Sequence, residues 1–135
     1  MTMTHDEKVA FIDELYASTG EGDWDKAASM LTDDFVASEA PGLPMAGDFK
    51  GKNGLKDLYL KVFSLADIAG LSRTVTTTGG DYAVTILEIQ YADSSIPPSE
   101  ICEVFKFRDG KCCMIKPYYF DPKSINDAAA AKAAG

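Results

Sequence analysis

Two glutamates fall where strand alternation calls for apolar side chains. In EICEVFKF, residues 100–107, Glu103 shares a face with Ile101, Phe105 and Phe107. In FVASEA, residues 35–40, Glu39 shares one with Phe35 and Ala37. Two carboxyls turned toward one apolar cavity lose hydration, which disfavours both charged forms, and their repulsion pushes their proton affinities apart. One can then act as a general base while the other stays protonated and donates a hydrogen bond. The same residues admit a purely structural reading. Glu39 ends its strand and could reach solvent, and Glu103 could pair with Lys106, Lys116 or Arg73.

Other chemistry is thinly represented. His5 is the one histidine and lies near the N-terminus, which argues against a His-Asp dyad, a Ser-His-Asp triad and a His-ligated metal. Cys102, Cys112 and Cys113 form no CxxC pair and read as reduced, buried strand thiols. No phosphate-cradling glycine loop or dinucleotide fingerprint occurs, so no cofactor is implied. Thirteen Lys and Arg against twenty-one Asp and Glu give a net charge of -8, so nucleic acid and anionic membrane are poor partners. No run of ~18 apolar residues could span a bilayer. The start, MTMTHDEKVAF, lacks the basic and apolar regions of a signal peptide, so a cytoplasmic protein is expected.

The 135 residues that must carry the two acids suit one domain, 1–135, with residues 1–4 and 124–135 as frayed ends. Thr4 and Glu7 form a capping-box pattern ahead of Val9, Ile12, Leu15 and Tyr16, predicting a helix to about Gly20 or Gly22. Asp23 caps a shorter helix with Ala27, Met30 and Leu31 inward, ending near Asp33 and Asp34. After the strand at 35–40 comes the loop PGLPMAG. A third helix follows Gly51, its stripe made by Leu55, Leu58, Tyr59, Val62, Phe63 and Ala66. From Leu71 the period changes to that of strands: SRTVTTT and YAVTILEIQY form a hairpin, and EICEVFKF turns at Asp109-Gly110 into KCCMIKPYYF. Pro117 should mark a bulge or an edge. The order α-α-β-α-β-β-β-β, with helices on one side of a mostly antiparallel sheet, defines an α+β domain. The uncovered sheet face favours a homodimer.

The run GDWDKAASMLTDDFVASEAPGLPMAGDFKGKNGLKDLYLKVF and the closing EVFKFRDGKCCMIKPYYFDP resemble the nuclear-transport-factor-2-like superfamily, in its ketosteroid-isomerase-like and SnoaL-like branch. The resemblance implies a cone-shaped roll, a strongly curved sheet around three helices with a ligand pocket at its open end. It also implies roles. Glu39 falls where ketosteroid isomerases carry their general base, and Glu103 where they carry a protonated acid that holds the dienolate oxygen. Leu15 falls where they carry a tyrosine, and Tyr16, one step of ~100° along the helix, is expected on another face. Asp121, in YYFDP, resembles the strand-terminal acid of SnoaL-like cyclases, although Asp before Pro is equally a turn former.

Tyr16, Trp24, Met45, Tyr59, Phe63 and Tyr118 are candidate walls for a small hydrophobic substrate, set against the plainer reading that such residues are core. Two functions follow: a cofactor-independent isomerase, cyclase or lyase using Glu39, Glu103 and Asp121, or a non-catalytic module that binds a hydrophobic ligand or dimerises.

Overall fold

A computed structural model describes residues 2–135; Met1, part of the expected frayed start, lies outside the described residues. Thr4 opens α1 (His5–Glu21) with both halves of the capping box. Its hydroxyl accepts from the Glu7 amide at 3.1 Å, and the Glu7 carboxylate accepts from the Thr4 amide at 2.8 Å. Gly22 ends the helix in the left-handed conformation, φ 73°, which a residue without Cβ adopts freely. Asp23 caps α2 (Trp24–Ser29) by accepting from the Lys26 amide.

The second helix stops at Ser29, short of the expected end. Asp33 and Asp34 lie instead in β1 (Leu31–Glu39), paired with Lys52 and Arg108. Contacts to other elements outweigh the local helical spacing there. A further strand, β2 (Gly47–Lys50), emerges from the proline-glycine loop and pairs antiparallel with β1, Glu39 opposite Gly47. The third helix, α3 (Gly54–Leu65), begins hard against β2. A Cβ on Gly54 would lie 2.5 Å from the Phe49 carbonyl oxygen, so only glycine permits this approach.

Four long strands follow: β3 (Ile68–Gly79), β4 (Tyr82–Tyr91), β5 (Ser99–Arg108) and β6 (Lys111–Tyr119). The sheet runs in the order β2-β1-β6-β5-β4-β3, antiparallel throughout except between β1 and β6. This is the expected α+β roll with a curled, mostly antiparallel sheet. Pro117 is placed where its missing N–H is harmless, because the β1–β6 ladder ends at Ala37 and Ile115. The bulge lies elsewhere in β6, at Cys113, between the pairs Phe107–Cys112 and Lys106–Met114.

Ile12, Leu31, Phe35, Ala37, Phe105, Cys112 and Ile115 are buried between the inner sheet face and the helices. Each large side chain among them contributes roughly 1.5–3 kcal/mol of hydrophobic stabilisation. The C-terminal segment does not behave as a frayed tail. It forms α4 (Lys123–Ala134), which buries Ile125 and Ala128 and anchors Lys132 to the Phe63 carbonyl at 2.9 Å. An alanine-rich helix reveals nothing of this docking locally, since the site it covers belongs to distant elements. No helix is long and apolar enough to cross a membrane among the described residues.

Candidate active site

Strand parity turns both glutamates to the inner face. Glu103 pairs with Pro117, and Glu39 lies two residues past Ala37, the last residue of β1 paired with β6. The two acids are near enough for the Glu103 charge to act on Glu39. On its other side Glu103 pairs with Thr85, which is fully buried and exchanges a 2.8 Å hydrogen bond with Thr76.

The strand-end reading of Glu39 fails, since the residue is only 7% exposed. Its Oε1 is buried with no hydrogen-bond partner among the described residues. Burial, and then the charge of Glu103, push its pKa up from 4.5 to about 8. The ion-pair reading of Glu103 fails too. Lys106 and Lys116 stand on the opposite face by strand parity, and Arg73 binds Asp13 at 2.7 Å.

Glu103 accepts instead from the Tyr16 hydroxyl at 2.5 Å. Burial raises the Glu103 pKa and the Tyr16 hydrogen bond partly offsets that, while burial and the Glu103 charge raise Tyr16. Tyr16 was expected on another face, with no donor reaching the site from α1. The helical step is as expected, but the length of the side chain returns the hydroxyl to the site, beside the buried Leu15. The Arg73 guanidinium covers the Tyr16 ring, 4.6 Å from its centroid.

Tyr16 and Glu103 border a cavity of about 20 Å³, closed by Leu15, Thr19, Leu55, Leu58, Tyr59, Phe105 and Ile115. That is room for about one water molecule. Tyr59, from α3, lines the cavity, and Trp24 packs against it in an edge-on contact at 5.3 Å between ring centroids. Among the described residues no three His, Cys, Asp or Glu side chains gather to hold a metal.

A family profile described as SnoaL-like domain matches residues 12–115. The chain belongs to the SnoaL-like family. Solved structures bear out the wider fold. An NTF2-like protein from Burkholderia xenovorans LB400 superposes with a TM-score of 0.76 at 18% identity, covering 94% of this chain and 98% of that one. An NTF2-like protein of unknown function from Burkholderia pseudomallei K96243 gives 0.75 at 13%, with the same coverage. TerC, co-crystallised with polyporic acid, gives 0.75 at 17%, over 92% of this chain and 98% of that one. Among curated proteins no sequence match was found.

Several expected residues of this SnoaL-like chain lie away from the acid pair. Tyr118 is 55% exposed on the outer face, because the inner parity of β6 after the bulge belongs to Ile115, Pro117 and Tyr119. Tyr119 is the inward tyrosine that sequence reading passed over; the bulge at Cys113 sets it on the parity of Ile115. Its pKa is raised by burial and by the neighbouring Glu39 charge. Phe63 is half-exposed at the rim, 6.3 Å from the Tyr59 ring, and Met45 is buried core outside the cavity lining. Asp121 is exposed and accepts from the Lys123 amide at 3.0 Å, the turn role, on a separate surface cleft of about 480 Å³ with Phe120 and Asp127. Cys102 is exposed, unlike Cys112 and Cys113, and all three thiols are free. His5 hydrogen-bonds Thr78 at 2.7 Å, joining α1 to β3.

Proposed function

We propose that the protein is a cofactor-independent catalyst of proton transfer, of isomerase, cyclase or lyase type, on a small hydrophobic carbonyl compound. The observation that carries this reading is the unpartnered, buried carboxyl of Glu39, within electrostatic reach of the Tyr16–Glu103 pair. Glu39, poised near neutrality, removes a proton from the carbon next to the carbonyl. Protonated Glu103 and the Tyr16 hydroxyl donate to the oxygen, where negative charge develops. The proton held on Glu39 then returns to the same or another carbon. Leu55, Leu58 and Tyr59 on α3 must shift for a substrate to enter the small cavity. That TerC was crystallised with polyporic acid supports a small organic molecule as occupant. The three free thiols agree with a cytoplasmic setting, where they stay reduced.

The second reading is a non-catalytic module holding a hydrophobic ligand, favoured by how little space the closed cavity leaves. Deuterium exchange next to the carbonyl, followed by NMR over a panel of ketones including steroid enones, separates the two. Exchange catalysed by the native protein and lost in Glu39→Gln identifies the base. Binding across the panel without exchange rejects catalysis in favour of the module.

A further inference from the structure

Three polar contacts tie α1 to the edge strand β3 and the turn that follows it. His5 hydrogen-bonds Thr78, Lys8 donates to the Gly80 carbonyl, and Arg73 donates to Asp13 at 2.7 Å. The first two already hold the start of the helix to the end of the strand. The third differs in what its cation touches. Arg73 pairs with the buried Leu87 across β3 and β4, so its side chain leaves from the inner face. There its guanidinium lies over the Tyr16 ring, 4.6 Å from the centroid, while Phe105 packs edge-on against the same ring at 6.1 Å.

Asp13 stands three residues before Tyr16 on α1 and is the more exposed partner of the ion pair. It grips the guanidinium and leaves the ring face to the cation, a placement that the planar, stacking geometry of arginine suits. A cation over a phenol attracts its π-electrons, which draws charge from the oxygen and makes the hydroxyl more acidic. Burial, Glu103 and Tyr59 raise the proton affinity of the Tyr16 hydroxyl, and Arg73 is the group that lowers it. A plain staple between helix and strand would need the ion pair but not this position over the ring.

We propose that Arg73, pinned over the ring by Asp13, is a positioning residue that strengthens the Tyr16 hydroxyl as a hydrogen-bond donor. In the resting protein the acceptor is Glu103 Oε1. During turnover it is the substrate oxygen, and this part alone rests on the proton-transfer reading above. A polarised donor gains most where negative charge develops on its acceptor, so the cation acts on the transition state more than on binding.

Proton NMR of the ligand-free protein reads the Tyr16–Glu103 hydrogen bond as a downfield resonance, assigned by its loss in Tyr16→Phe. Arg73→Met keeps the reach of the side chain, removes its charge and should move that resonance upfield. Arg73→Lys, which keeps the charge, should hold it nearer the native position. Asp13→Ala, which releases the clamp, should shift it in the same direction as Arg73→Met. Far-UV circular dichroism confirms that each variant is folded. With a confirmed substrate, Arg73→Met should lower kcat about five- to tenfold, the size of an ordinary cation–π contact, with KM nearly unchanged. In a Tyr16→Phe background the same change should have almost no further effect. An unmoved resonance in Arg73→Met, or a lysine variant indistinguishable from the methionine one, overturns the role of the charge whether or not a substrate is turned over. An equal loss of kcat with and without the Tyr16 hydroxyl overturns it too, since Arg73 would then act elsewhere. A native protein that turns nothing over counts against the proton-transfer reading alone, and the resonance still decides the part played by Arg73.

Discussion

The Tyr16 hydroxyl meets Glu103 Oε1 at 2.5 Å, tying the first helix to the fifth strand across eighty-seven positions of sequence. Arg73, clamped by Asp13, roofs the tyrosine ring. The pair is thus a hydrogen-bonding unit held from three elements, which suits it to stabilise charge that develops on a bound oxygen.

Tyr16→Phe removes one donor to that oxygen and leaves the ring packing in place. Turnover of a confirmed substrate should fall roughly 100-fold, with little change in substrate affinity. Steady-state kinetics checks this. Unchanged kcat would exclude the tyrosine from the chemistry.

If Glu39 is the base, turnover rises with pH along a limb centred at about 8, where the carboxyl loses its proton. Protonated Glu103 carries no charge, so Glu103→Gln should slow the reaction and leave the limb in place, whereas an ionised Glu103 would be holding the limb up. A pH–rate profile of both proteins decides it, and a limb that moves to lower pH in the variant would show Glu103 ionised rather than a proton donor.

The raised Glu39 pKa also predicts how stability varies with pH. The folded protein holds this proton more tightly than the unfolded chain, whose carboxyl titrates near 4.5. Its stabilising contribution is complete below pH 4.5, declines as pH rises, and is gone above about 8. Glu39→Gln should flatten part of this decline, by an amount on the order of a few kcal/mol between pH 5 and 8. Glu103, also raised by burial, adds a decline of the same sign. Urea titrations at the two pH values provide the comparison; parallel losses in native and variant proteins would contradict burial of an unpaired Glu39.

Ile125, only 1% exposed, makes α4 part of the core. Ile125→Ala should destabilise the fold by about 2–5 kcal/mol, as removal of a buried aliphatic side chain does. Chemical denaturation of the variant would show almost no change if α4 were merely a frayed appendage.

Much of this architecture follows from short-range pattern. Thr4 and Glu7 announce the start of α1, the stripe from Leu55 to Ala66 announces α3, and two-residue alternation turns both Glu39 and Glu103 inward. Those signals are legible because a helix or strand presents its side chains at a fixed period, whatever surrounds it. Composition likewise gives the acidic balance, a net charge of -8, because net charge does not depend on the fold.

Relations between distant elements were not legible in this way. The inward tyrosine of β6 is Tyr119 rather than Tyr118 because a bulge at Cys113 resets the pairing, and one residue of slip exchanges the two faces. Tyr16 reaches Glu103 because of where β5 runs beneath α1, and Ile125 is buried because α3 and the sheet leave it a site. Each depends on the mutual placement of several elements, which packing of the whole chain decides and which no window of local sequence contains.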